Sequence, residues 1–168
     1  MRPYYTANPT SKNAGLARLA AVVGMPVALM LIASIPADEG MVMRGYRDPV
    51  GIPTKCMGDT NDVIVGKVYS RAECDASMIT QLIKHSKPVL ACAPGLAGRT
   101  NQLWAAISWA YNVGTGAFCR SVAAKRFNAG DMRGGCNALS KPITARGRVL
   151  RGLVLRRQRE VSTCLKGL

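Results

Sequence analysis

The 168-residue chain carries 23 Lys and Arg against 9 Asp and Glu, a formal charge of +14 and a pI near 10.1, with 48% hydrophobic and 5% aromatic residues. That length holds one domain with a real core plus an N-terminal appendage, and a second enzyme domain does not fit. The charge draws the chain to a polyanion, which could be nucleic acid, anionic lipid or bacterial cell wall; with neither aromatics interleaved in a basic patch nor a recognisable reading module, nucleic acid is disfavoured.

Residues 1–18 form a basic tail with Arg2, Lys12 and Arg18, followed by 19 uncharged residues from Leu19 to Ala37. Such a run can just span a bilayer, and the preceding cations put the N-terminus in the cytoplasm and the rest outside. Three uses are open: a permanent anchor, a signal peptide cleaved after Ala37, and a segment that enters the membrane and later leaves it. Gly24, Pro26, Ser34 and the many alanines keep the run only moderately apolar, and Pro26 weakens a helix interior, which favours the third. Cleavage would also leave Glu39 second in the mature chain, with no helix before it.

Glu39, Asp48 and Thr54 follow, nine and six residues apart in a turn-rich stretch. Hydrolysing a glycosidic bond needs one carboxyl to protonate the leaving oxygen and a second to serve the opposite side of the sugar. Two acids on a short segment can be held that way, although a spaced pair alone is more often solvated surface charge. Gly, Pro, Asp and β-branched residues up to about Lys67 suit a small antiparallel sheet.

Ser70-Arg71-Ala72-Glu73 has the form of a capping box, opening a helix from about Arg71 to Ser86 that should stop before Pro88. The only histidine, His85, reads as an ordinary surface residue, since no Cys or His spacing converges on it as in a metal site. Pro88 to Gly98 reads as a loop. Thr100 can then cap an apolar helix from about Asn101 to Asn112, with Trp104 and Trp109 in the core and Gly114 and Gly116 ending it. Shorter helices are expected near 118–128 and 132–139, and a basic one near 151–165 with a solvated cationic face. The cysteines at 56, 74, 92, 119, 136 and 164 lack the close pairs of a zinc framework, and their even number in an exported chain favours disulfides of open pairing.

Glu39-Gly40, then Tyr46-Arg47-Asp48-Pro49-Val50-Gly51, then Thr54 and Gly58, resemble the catalytic signature of phage lysozymes of glycoside hydrolase family 24. Ala110 to Cys119 with Lys125 to Asp131 resembles that family's large-lobe motif. Gly152-Leu153-Val154 with Arg156, Arg157 and Glu160 resembles its C-terminal motif. The resemblance implies an α+β, mainly α fold, two-lobed and lysozyme-like, with a small β-sheet lobe and a helical lobe after an N-terminal apolar helix. It implies a muramidase that cuts between N-acetylmuramic acid and N-acetylglucosamine in peptidoglycan, needs no cofactor or metal, and works as a monomer in host lysis. Glu39 would be the general acid, Asp48 the carboxylate facing the attacking water, Thr54 the hydroxyl that positions this water, and Asn112 a cleft-lining contact to an N-acetyl group. Glu39 should then be partly desolvated and Asp48 wetter.

Residues 38–168 would form the muramidase domain and 19–37 the signal-anchor-release segment of lambdoid type, held in the host inner membrane and then released to the periplasm. The sequence departs from the family pattern at Pro53, at Lys55, at Asp59 where a His is usual, and at Arg151; the stretch Leu139 to Thr144 is short and lacks the usual Trp. The alternative is therefore a disabled, membrane-tethered peptidoglycan-binding protein.

Overall fold

The computed structural model describes residues 9–48, 50–145 and 147–168; Arg2 of the basic tail, Pro49 of the signature and Arg146 lie outside them. In chain order come α1 (Pro9–Val23), α2 (Met25–Glu39), β1 (Val42–Arg47), β2 (Pro53–Cys56), α3 (Arg71–Cys92), a 3-10 turn at Pro94–Leu96, α4 (Thr100–Val113), α5 (Thr115–Arg120), α6 (Val122–Asn128), α7 (Met132–Ala138), β3 (Thr144–Ala145), β4 (Arg148–Val149) and α8 (Arg151–Cys164). Strands β1 and β2 pair antiparallel in the small lobe, with a register shift between Val42 and Tyr46, and β3 and β4 form a second short hairpin.

The uncharged N-terminal run is two helices, bent by 118° where they meet at Gly24. Gly24 has φ +85°, a left-handed conformation that glycine adopts without a Cβ penalty, and Pro26 falls in the first turn of α2, where its missing N–H costs nothing. No single helix among the described residues is long and apolar enough to cross a membrane; the bent pair passes that test only taken together. Helix α1 lies on α3 and α2 on α4, so Leu19, Val23, Val27, Ala28, Leu31 and Ile35 are buried in the common core. Burial of Val27, Leu31 and Ile35 alone is worth about 5 kcal/mol. Trp104 Nε1 adds a 3.1 Å hydrogen bond to Ser34 Oγ across the α2–α4 seam.

Helix α4 is the centre of the large lobe, buried without interruption from Gln102 to Ala110, with Trp104 and Trp109 inside as expected. Several boundaries differ from the sequence reading. Helix α3 does not stop before Pro88 but runs through it to Cys92, and the expected loop shrinks to the turn at Pro94–Leu96. A proline costs a helix interior about 3 kcal/mol. The extra turn offsets that by burying Val89 and presenting Cys92 to Cys119. Thr100 is the first residue of α4 rather than its cap. The start of α4 is tied elsewhere, by Asn101 Nδ2 donating to Lys166 O at 3.0 Å and Gln102 Nε2 to Cys164 O. The expected helix near 118–128 is two, because Ser121 Oγ accepts from Ala124 N and starts α6 afresh, and Gly116 lies inside α5 rather than ending α4.

The six cysteines form three disulfides, Cys56–Cys74, Cys92–Cys119 and Cys136–Cys164. They fasten β2 to α3, the end of α3 to α5, and α7 to α8. Each closes a loop long enough to stabilise the fold by about 3 kcal/mol through the unfolded chain's lost entropy.

Candidate active site

Glu39 is the last residue of α2, and the chain passes through Gly40 directly into β1. Within β1, Gly45 is buried against the loop that follows β2; a Cβ there would meet Ile64 O at 2.2 Å, so only glycine lets that loop close over the strand. Asp48 takes the turn between the strands. Its Oδ1 accepts from Val50 N at 2.9 Å and Ile52 N at 2.8 Å, while Arg47 Nη1 clamps the turn through Gly51 O. Thr54 lies opposite Tyr46 in the ladder, almost fully buried, and its hydroxyl donates to Ile52 O at 3.0 Å. Asp48 and Thr54 are thus anchored on the same residue, Ile52, one by its N–H and the other by its carbonyl. Asp48 Oδ2 makes no hydrogen bond among the described residues and is left for a ligand or water.

Glu39 is fixed from the opposite end of the sequence. Arg156 Nη1 donates to its Oε1 at 2.5 Å, and the glutamate side chain keeps 21% of its surface exposed. Arg156 is itself buried and held on three sides, by Glu160 Oε1 at 3.2 Å, Ser108 O at 2.9 Å and Asp38 Oδ2 at 3.8 Å, while Arg159 also pairs with Asp38. Glu160 is 1% exposed and accepts from Ser108 Oγ at 2.7 Å and from Arg157. Burial pushes the Glu160 carboxyl up against the pull of Arg157, Ser108 and Arg156, and burial likewise lowers Arg157. The cationic face expected to be solvated therefore turns two of its arginines inward. Carboxylates at 39 and 160 make this possible, since a buried guanidinium is tolerated only when paired.

Asn112 stands exposed at the end of α4 with its Oδ1 accepting from Arg157 Nη2 at 3.2 Å, which leaves the amide N–H groups free to donate outward. Tyr111 reaches the small lobe, its hydroxyl donating to Met57 O at 3.2 Å. Burial first, then the negative charges of Glu39 and Asp59, hold its phenol above the ordinary range, so it stays a neutral donor. His85, expected at the surface, is instead partly buried, with Nδ1 2.8 Å from Gln81 O and its ring 4.9 Å from that of Tyr111. Among the described residues no group of three or more His, Cys, Asp and Glu is placed to hold a metal.

The sequence reading assigned no role to Arg156, Ser108 or Tyr111. The spacing of Arg156 and Arg157 four and three residues before Glu160 was the available signal, since it puts all three on one flank of a helix.

Asp59, the departure from the family's usual His, is 6% exposed and fully partnered. Its oxygens accept from Ser77 Oγ at 2.5 Å, Gln81 Nε2 at 2.8 Å and both Asn61 N and Nδ2, with Lys55 Nζ 3.6 Å away. Burial raises its carboxyl, but Ser77, Asn61 and Lys55 outweigh this and hold it below the ordinary carboxylate value.

The phage lysozyme family model matches residues 37–160. The chain is 35% identical over 130 residues to the SAR-endolysin of Bacteriophage PS119, covering 77% of each protein, and 35% identical to that of Enterobacteria phage P21, covering 77% of this chain and 78% of that one. The chain belongs to the phage lysozyme family. Among solved structures it resembles the muramidase domain of SpmX from Asticaccaulis excentricus, with TM-score 0.74 and 25% identity over 81% of this chain and 95% of the other. It shares its fold with the active form of the P1 phage endolysin Lyz, with TM-score 0.75 and 21% identity over 93% and 94%. The chain is an endolysin of the muramidase class, a glycoside hydrolase.

Two outcomes are expected. Arg156→Ala removes the cation that Glu160 and Asp38 share, leaving them only Arg157 and Arg159; it costs about 3 kcal/mol in urea unfolding and lowers kcat about a hundredfold by freeing Glu39. Arg156→Lys, which keeps the charge but not the fork, recovers more of the stability than of kcat. Asp59 has a folded-state pKa below its unfolded one, so its stabilisation is complete above about pH 4 and is lost as pH falls through the folded value. Thermal midpoints from pH 6 down to pH 2 should fall more steeply for the wild type than for Asp59→Asn, which starts lower at neutral pH because its amide N–H groups face other donors.

Proposed function

We propose that the enzyme cleaves the bond between N-acetylmuramic acid and N-acetylglucosamine in bacterial peptidoglycan, with Glu39 as general acid, Asp48 as the carboxylate for the attacking water, and Thr54 orienting that water. The observation that carries this reading is the division of labour in the anchors. Asp48 and Thr54 are rigid with respect to each other through Ile52, whereas Glu39 arrives on a separate element, α2, and is fixed by Arg156. Arg156 holds Oε1, which leaves Oε2 to carry the proton to the leaving oxygen. Asp48 Oδ2 then accepts a proton from water, whose attack on the far side of the sugar inverts the anomeric centre. Asn112, its oxygen taken by Arg157, donates to the acetyl carbonyl of a bound sugar.

The alternative of a disabled wall-binding protein rested on the departures near the site, and it is not favoured. Asp59 is satisfied by its own set of donors, and Pro53 opens β2, a position at the start of a strand where a missing N–H is tolerated.

The enzyme is further read as held in the host inner membrane by residues 19–37, N-terminus in the cytoplasm, and working in the periplasm after release. The names of its relatives in phages PS119 and P21 support this, as does the fold likeness to the active P1 enzyme, whose extent reaches back into the N-terminal helices. While the run lies straight in a bilayer, Leu31 and Ile35 face lipid and Glu39 is pinned at the membrane surface away from Arg156. When it leaves, it breaks at Gly24, docks on α3 and α4, and delivers Glu39.

Reducing ends released from purified Gram-negative peptidoglycan test the chemistry: Glu39→Gln should lower the rate about a thousandfold with the fold intact, and an active Glu39→Gln variant would remove Glu39 from the mechanism. Gly24→Ala tests the regulation. Alanine favours the straight helix and strains the φ +85° bend, together shifting the balance by about 2 kcal/mol, some thirtyfold, toward the membrane-held form. Fractionation should show more protein in the membrane and proportionately slower lysis; equal specific activity of membrane-held and released protein would refute the coupling.

A further inference from the structure

A cavity of about 710 Å³ opens between the loop after β2 and the outer flank of α3, within the size range of small-ligand sites. Neither Glu39, Asp48 nor Thr54 lines it. Strand alternation accounts for the separation: Lys55 enters the cavity, while Thr54, its neighbour on β2, is buried on the opposite face.

Most of the charges around the cavity are already spent on one another. Lys55 pairs with Asp59, Lys67 with Glu73 at 3.0 Å, and both ammonium groups lie over the buried Tyr69 ring, at 5.1 and 4.5 Å from its centroid. Two lining charges remain. Asp62, on the loop wall, and Lys84, on the helix wall, are both exposed, and neither side chain makes a hydrogen bond or ion pair among the described residues. The wall of α3 also presents Ser77 and Thr80, whose hydroxyl oxygens can accept from a ligand.

A purely anionic ligand in this cavity would meet Asp62 and the Asp59 floor, and a purely cationic one would meet Lys84. A ligand that carries both a carboxylate and an ammonium answers both leftover charges. We propose that this cavity binds the zwitterionic amino-acid group of a wall peptide, its ammonium at Asp62 and its carboxylate at Lys84, and so holds the enzyme on peptide-bearing wall. The source of the ligand rests on the muramidase reading, because a diamino acid whose second amine is not cross-linked presents such a group on the polymer being cut. The charge pattern itself does not rest on it.

The experiment has two arms on the soluble full chain. In the first, a wall tetrapeptide containing diaminopimelate is titrated while backbone amide resonances are followed. Shifts at Ser77, Thr80 and Gln81 that disappear in Lys84→Glu and in Asp62→Lys support the site; no shifts, or shifts unchanged in both variants, overturn it. In the second, initial rates are compared on intact peptidoglycan and on glycan chains stripped of peptide. Each variant should raise KM on intact wall about threefold, the scale of one exposed ion pair, and leave both constants on stripped glycan unchanged. Equal changes on the two substrates would mean that the charges act only on general attraction to the wall, and would overturn the proposal. A wild type inactive on both substrates would instead refute the muramidase reading, while the titration would still decide the site.

Discussion

The contact between Arg156 and Glu39 is the constraint on which the rest of the structure turns. Helix α2 ends in Asp38 and Glu39, two acids at the end of a helix where unsatisfied carbonyls already present negative charge. That is the unfavourable end for carboxylates, and nothing within α2 offsets it. The compensation comes from α8, where Arg156 meets both acids and Arg159 reaches Asp38. Arg156 cannot lie buried alone, so Glu160 and the Ser108 carbonyl hold it from the far side. Seating α2, the second helix of the uncharged run, therefore requires the last helix and the middle of α4 to be in place. A carboxylate near the N-terminal end of the domain is positioned by contacts more than a hundred residues away in sequence.

What the sequence disclosed divides along the same line. Local chemistry was legible: the Ser70 and Glu73 capping box forms as expected, the small antiparallel sheet lies where Gly, Pro and β-branched residues put it, and the apolar stretch around Trp104 and Trp109 is the buried centre. Errors arose where tertiary contacts overruled a local rule. Pro88 did not end α3, because a disulfide and the buried Val89 reward one more turn. The cationic residues of α8 did not all face water, because Glu160 on the same helix is joined as a counter-charge by Asp38 and Glu39 of α2, far away in the chain. Ser121 is a readable cap, but no break in the apolar pattern marks the boundary that it makes between α5 and α6. Of the candidate site, residue types and order were legible from the resemblance, whereas the anchors on Ile52 and Arg156 were not: the first is a backbone contact, and the spacing of Arg156, Arg157 and Glu160 marks a cluster on α8 without announcing its partner Glu39 on α2.

The small lobe shows how a departure from a family pattern can be absorbed. Exchanging a histidine for Asp59 at a buried position would leave a bare carboxylate unless donors surround it. Here Ser77 and Gln81, one turn apart on α3, supply two, Asn61 supplies two more, and Cys56–Cys74 ties β2 to the same helix close by. The altered residue is part of a self-consistent set that attaches the sheet to α3. Thr54 sits on that sheet, two residues before Cys56, so the set also fixes the platform for Asp48 and Thr54.

On the proposed transfer from membrane to domain, α2 serves two environments, and its composition suits both. Seated on the domain it buries Val27, Ala28, Leu31 and Ile35, yet its outer face is apolar too, with Met25 47% and Leu29 52% exposed and no charge before Asp38. A helix selected only for the seated state would carry polar residues on that face, because water solvates them at no expense to the core. In a bilayer the same outer face must be apolar, since every side contacts lipid. On that reading the exposed Met25 and Leu29 meet a requirement that the folded domain does not itself impose. Gly24 and Pro26 answer the converse requirement: an uninterrupted helix of good formers would bind the membrane more firmly but could not make the turn that brings α1 onto α3 and Glu39 to Arg156.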